Sequence, residues 1–125
     1  MKFLFRAVRK KLLWGCAIAR IIGENVKIHT EDYDKLIKMW VLEEKIVVDG
    51  KERKLSDCIN EDHENYKYLR GYKLPDNVIA ITSLPDTVKD ADVLLFVVPH
   101  QFINKTCMQI KGKVKPTAVG LSLIK

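Results

Sequence analysis

Acidic residues are missing from both ends of this 125-residue chain. Residues 1–23 hold six basic side chains and residues 93–125 hold five, with no Asp or Glu in either segment. All sixteen acids lie in residues 24–92, among eleven bases. The net charge of +6 therefore comes from two basic flanks around an acidic middle. Aromatic residues amount to 8% and are not interleaved with the bases along one motif, so the footprint of a nucleic-acid binder is lacking. Cysteine is scarce too. Cys16, Cys58 and Cys107 stand forty or more residues apart, which excludes the close ligand spacing of a zinc site. Their odd number and wide spacing favour a reducing compartment, and a cytoplasmic location is expected. His29, His63 and His100 are equally scattered, and no metal is expected. Long apolar runs are absent: the strongest, residues 91–99, is interrupted by Asp92 and falls far short of the ~20 residues of a membrane span. There is no internal repeat and no low-complexity segment.

What is present alternates between strand-like and helix-like stretches. Residues 36–42 read as a strand ending in the acidic pair Glu43-Glu44, and Val47-Val-Asp-Gly50 as a turn. Residues 54–65 suit a helix with Ser56 as N-cap, and residues 71–75 a loop. A strand is expected over 77–82, then a short helix capped by Ser83 with Pro85 in its first turn. Asp92-Val-Leu-Leu-Phe-Val-Val98 has six apolar residues in seven without alternation, the pattern of a strand buried on both faces. A helix follows to about Gly112, then a strand over 118–124. Short strands separated by helical crossovers imply an α/β fold, a parallel sheet with helices on both faces. Ligands gather at the carboxyl ends of such strands, here near Glu43, residues 99–102 and Lys125.

Six blocks carry a more specific signal: Trp14-Gly-Cys-Ala-Ile-Ala-Arg-Ile-Ile-Gly23, Met39-Trp-Val-Leu-Glu-Glu44, His63-Glu-Asn-Tyr-Lys-Tyr-Leu69, Lys73-Leu-Pro75, Phe96-Val-Val-Pro-His-Gln-Phe-Ile103 and Ser122-Leu-Ile-Lys125. In this order they resemble the amino-terminal domain of NAD-dependent glycerol-3-phosphate dehydrogenases of the eukaryotic cytosolic type, over about residues 14–125. The resemblance implies a Rossmann-type domain and NAD as cofactor. It also implies hydride transfer between the nicotinamide and the carbon that links glycerol 3-phosphate to dihydroxyacetone phosphate. Trp14 and Gly15 match the end of the family's phosphate turn. Leu42 stands where an aromatic residue usually lies near the adenine. Glu43 is suited to accept ribose hydroxyl hydrogen bonds and to disfavour a 2′-phosphate. Phe102 matches a phenylalanine near the cofactor, and Lys125 a lysine that contacts substrate. The family's general acid/base lysine and phosphate-gripping arginine belong to a carboxy-terminal substrate domain outside this sequence, so no catalytic residue is assigned.

The phosphate turn itself departs from the pattern Gly-x-Gly-Asn-Trp-Gly. Lys10 and Leu12 take the places of the first two glycines, and Leu13 that of the asparagine. The first glycine permits the tight turn and the second leaves room for the phosphates, so NAD binding is expected to be weak or lost. Arg6 and Arg9 are unsuited to a central parallel strand. At 100° per residue Lys2, Arg6, Arg9 and Lys10 share one arc, which reads as a basic helix replacing the first strand. Residues 1–13 are thus expected to be a divergent basic leader on an incomplete dinucleotide-binding domain, 14–125. Two non-enzymatic alternatives remain: pairing with a homologous full-length chain through an open sheet edge, and attachment to an anionic membrane surface through the leader. The chain alone is expected to be inactive.

Overall fold

The computed structural model describes residues 3–7 and 12–123. Five parallel strands form one sheet: β1 (Phe3–Ala7), β2 (Ile37–Trp40), β5 (Val78–Ile81), β6 (Val93–Val97) and β7 (Val119–Ser122), in the spatial order β5-β2-β1-β6-β7. Helix α1 (Leu12–Ile28) connects β1 to β2. Helix α3 (Leu84–Val88) connects β5 to β6, and α4 (Ile103–Ile110) connects β6 to β7. A hairpin of β3 (Lys45–Val48) and β4 (Lys51–Lys54) stands apart from the sheet. It leads into α2 (Leu55–Asp57), which widens into a π-helical turn over Cys58–Asp62.

The sheet is covered on both faces because alternate strand residues enter different cores. Ile37, Met39 and Val41 join Leu95 and Val97 under Cys16, Ala19 and Val26 of α1. Trp40 and Leu94 pack instead with Leu84, Val88 and Ile110 of α3 and α4. The doubly covered α/β fold is the one expected, and the 92–98 run is its buried strand β6.

Two expectations are corrected. The expected basic helix does not run through residues 3–7, because Phe3–Ala7 is the central strand, paired with β2 on one side and β6 on the other. Had these residues been helical, β2 and β6 would each have lost a ladder of backbone hydrogen bonds in the middle of the sheet. Only one residue of the five, Arg6, is charged, and it stands in register with Trp40 and Phe96 near the strand's carboxyl end. Of the rest of the segment, residues 1–2 and 8–11 lie outside the described residues, and residues 12 and 13 begin α1. The second correction concerns Ser56, which is not an N-cap. Helix α2 begins directly after β4, with Lys54 at the cap position and no cap bond from its side chain. The missing acceptor comes from Glu43, as described below.

Other local readings hold. Asp49 and Gly50 have φ of 52° and 78°, the paired positive values of the two-residue hairpin turn that Asp-Gly favours. Ser83 caps α3 by accepting from the Asp86 amide at 3.4 Å. Among the described residues, no helix is long and apolar enough to cross a membrane.

The two edges of the sheet differ. At β5 the Asn60 side chain behaves as a short piece of strand: its Oδ1 accepts from the Ala80 amide at 2.7 Å and its Nδ2 donates to the Ala80 carbonyl at 3.0 Å. That edge is thereby blocked against another chain. At β7 all four residues are exposed, with Val119 and Leu121 among the large exposed apolar side chains.

Candidate functional site

Strand order fixes where a ligand crevice opens. The connection from β1 runs through α1 to β2 on one side, and that from β6 through α4 to β7 on the other. The two connections diverge between the adjacent strands β1 and β6, so the crevice lies outside their carboxyl ends. Segments that follow β1, β2 and β6 surround it: the start of α1, residues 41–44, and the 3-10 turn His100–Phe102.

Trp14 occupies the first turn of α1 and is 64% exposed, whereas the next residue, Gly15, is buried. Leu42, 47% exposed, follows β2 directly after the buried Val41, whose amide donates to the Ile81 carbonyl at 3.0 Å. Phe102 closes the 3-10 turn and is 39% exposed. Its backbone is fixed twice, by its own amide on the Pro99 carbonyl at 3.0 Å and by the Thr106 hydroxyl donating to its carbonyl at 2.7 Å. Exposed aromatic or apolar groups thus stand on the segments that follow three neighbouring strands, residue types suited to flat heterocycles. Lys125 lies outside the described residues, as does the 8–11 connection from β1 to α1.

The acidic pair after β2 is held on both members. Glu43 Oε1 accepts from the Ser56 amide at 3.2 Å, and its Oε2 accepts from the Ser56 hydroxyl. The Glu44 backbone carbonyl accepts from the Leu55 amide at 2.8 Å, which seats the start of α2 against the strand end. The Glu44 carboxylate receives the Tyr68 hydroxyl at 3.1 Å and pairs with the Lys67 ammonium at 3.1 Å. The Lys67 pKa is raised above its usual value by its hydrogen bond to Glu44 first and by Tyr68 second. Glu44 is therefore structural, and Glu43 is the exposed member of the pair.

Trp14, Gly15, Leu42, Glu43 and Phe102, named from the sequence, lie on the three segments that follow β1, β2 and β6. Sequence reasoning missed the supporting groups Ser56, Tyr68, Lys67 and Thr106. A cavity of about 510 Å³ on the outer side of α1, lined by Arg20, Ile21, Glu24, Leu69 and Tyr72 among others, is separate from this crevice.

A dinucleotide fits the described part of the site. Flat apolar surfaces accompany a carboxylate at the end of the second strand, and Gly15 is buried near the start of α1, where close helix–sheet packing is required.

The comparisons with known proteins agree with this fold. The family model for the NAD-dependent glycerol-3-phosphate dehydrogenase N-terminus matches residues 13–125. Over 112 residues, 90% of this chain, a glycerol-3-phosphate dehydrogenase 1-like protein of Xenopus tropicalis is 55% identical. A cytoplasmic NAD(+) glycerol-3-phosphate dehydrogenase of Drosophila ezoana is 52% identical over the same length. The solved structure of a Saccharomyces cerevisiae glycerol-3-phosphate dehydrogenase superposes with a TM-score of 0.84 at 38% identity, covering 98% of this chain and 33% of that one. The chain spans about a third of the length of these relatives, 30% of the frog protein and 31% of the fly protein. The match and the strand order together show that the chain belongs to the NAD-dependent glycerol-3-phosphate dehydrogenase family, as its amino-terminal domain.

Proposed function

We propose that this chain is the dinucleotide-binding portion of a cytoplasmic glycerol-3-phosphate dehydrogenase, binds NAD weakly, and does not turn substrate over by itself. The observation that carries the reading is the strand order, which reverses between β1 and β6; Trp14, Leu42, Glu43 and Phe102 lie on the segments that follow β1, β2 and β6. In this reading Leu42 lies against the adenine and Glu43 accepts from the adenosine ribose. Trp14 and Gly15 adjoin the pyrophosphate, Phe102 lies beside the nicotinamide end, and Lys125 meets the substrate anion. Bound NAD supplies the hydride acceptor for glycerol 3-phosphate, and NADH the donor for dihydroxyacetone phosphate.

What the chain's own residues contribute is binding and orientation. The aromatic and apolar faces exclude water from the rings, and the carboxylate selects an unphosphorylated ribose. Lys10 and Leu12 stand in sequence where backbone must approach the pyrophosphate, which weakens the anion's contacts with helix N–H groups. None of the 125 residues is assigned to proton transfer. Calorimetric titration of the purified chain with NAD is expected to give a dissociation constant near or above about 1 mM, a binding free energy of about −4 kcal/mol. NADH oxidation in the presence of dihydroxyacetone phosphate is expected to stay at background. Micromolar binding or measurable turnover refutes the respective half of the proposal.

A second reading rests on β7. Its exposed Val119 and Leu121, set against the Asn60-blocked edge at β5, favour pairing of this chain with a full-length relative through one edge only. Co-elution of the two in size-exclusion chromatography supports it, and elution of this chain as an unaffected monomer removes it.

A further inference from the structure

We infer that Ser56 is a positioning residue: it fixes the Glu43 carboxylate at the end of β2 for a ribose diol, and so carries part of the discrimination between NAD and NADP. The inference rests on the dinucleotide reading above and goes beyond it by naming the group that sets the specificity of the strand-end acid.

Glutamate at an exposed strand end ordinarily samples many rotamers, and a ligand that needs one of them must order the side chain as it binds. Here the ordering is completed in folding. The two donors of Ser56 reach different oxygens, the amide at Oε1 (3.2 Å) and the hydroxyl at Oε2, so the carboxylate is gripped at both ends. Ser56 itself has little freedom: it is 8% exposed, and the preceding Leu55 is fully buried and tied to the Glu44 carbonyl at 2.8 Å. The grip is therefore anchored in the core.

An ionised carboxylate has about four lone-pair directions. Ser56 occupies two, one on each oxygen, and Glu43 is exposed. The remaining two are available for the two hydroxyls of a vicinal diol. A fixed negative charge at that place repels a 2′-phosphate more effectively than a mobile one, because a mobile side chain turns away into water.

The competing role is that Glu43 merely caps α2, whose own cap position, Lys54, provides no side-chain bond. Capping alone affects stability and leaves ligand preference untouched. The two roles separate in a titration of the 125-residue chain with NAD and, independently, with NADP, followed by NMR so that millimolar affinities are measurable. The unaltered chain is expected to prefer NAD by about tenfold or more. In Ser56→Ala the preference falls about fivefold, mostly through weaker NAD binding, as for loss of a charge-assisted contact. Ser56→Thr, which keeps the hydroxyl, restores it. Ser56→Cys, nearly the same size with a poor donor, behaves as Ser56→Ala and serves if the alanine variant does not fold. A preference that persists in Ser56→Ala or Ser56→Cys overturns the assignment and leaves the dinucleotide reading standing. An unaltered chain with no preference overturns it as well. If the unaltered chain binds neither dinucleotide, the dinucleotide reading itself fails and this assignment with it.

Discussion

Gly23→Val is expected to destabilise the domain by about 3 kcal/mol, the upper end for overpacking a dense core, and to lower the urea midpoint accordingly. Gly23 lies in α1 where the helix presses on the start of β5. A Cβ added there meets Pro75 Cγ at 3.0 Å, Asn77 Oδ1 at 3.1 Å and a Val78 methyl at 3.2 Å. None of these neighbours can yield. Pro75 is a ring, Val78 is fully buried, and Asn77 is held through its Nδ2 by the Gly23 carbonyl at 2.9 Å and the Lys35 carbonyl at 2.8 Å. Relief of glycine's backbone entropy in a helix returns only about 1 kcal/mol. Valine then adds two methyl groups beyond the Cβ, and separation of α1 from β5 opens the core that contains Cys16, Ala19 and Val26. Against a total stability of about 5–15 kcal/mol for such a domain, this is a large share. An unchanged midpoint in Gly23→Val means that α1 does not pack against β5 as described.

Glycine at position 23 is thus explained by helix–strand contact rather than by backbone conformation. That distinction separates what was legible in the sequence from what was not. Strand β6 was legible because its six apolar residues in seven admit few other fates. Helix α3 was legible because Ser83 and Pro85 are placed for a cap and a first turn. The hairpin turn was legible at Asp49-Gly50. Its strands were not, since Lys51-Glu-Arg-Lys54 gives no apolar alternation and is held largely by charges, with Arg53 pairing to Glu61 and Asp62.

Strand β1 shows why local pattern fails in the middle of a sheet. The bases in residues 1–13 describe a plausible helix arc, yet the middle of the sheet between β2 and β6 requires a partner on both sides. Non-local hydrogen bonding decides, and a window of thirteen residues contains no trace of it. The supporting asparagines were invisible for the same reason. Asn60 bonds Ala80, twenty residues away, and Asn77 bonds Gly23, fifty-four away. Candidate positions at strand ends follow from the fold class, while Ser56 and Thr106 act through contacts that only the folded chain brings about.

Restoring glycine at two positions, Lys10→Gly together with Leu12→Gly, is expected to strengthen NAD binding by about a hundredfold. The family's turn has glycine at both places, and a dinucleotide pyrophosphate is held there by backbone N–H groups at a helix start. Helix α1 begins at Leu12, so its unpaired amides and the positive end of its dipole lie at the right point in the chain. Charge-assisted hydrogen bonds contribute about 1.5–3 kcal/mol each, and two regained contacts, less the ordering of a more flexible turn, leave roughly the 2.7 kcal/mol that a hundredfold change requires. Loss of the Lys10 charge opposes this gain but cannot cancel it, since an exposed ion pair with a phosphate is worth at most about 1 kcal/mol. Glycine at the start of α1 costs about 1 kcal/mol of helix stability, so calorimetry belongs alongside a thermal melt. Leu12→Gly alone is expected to give most of the effect, because the second glycine is the one that leaves room for the phosphates. If the double variant folds and binds NAD no better than the unaltered chain, the obstacle lies elsewhere in the crevice, and Leu42, in the place of an aromatic residue, becomes the position to change.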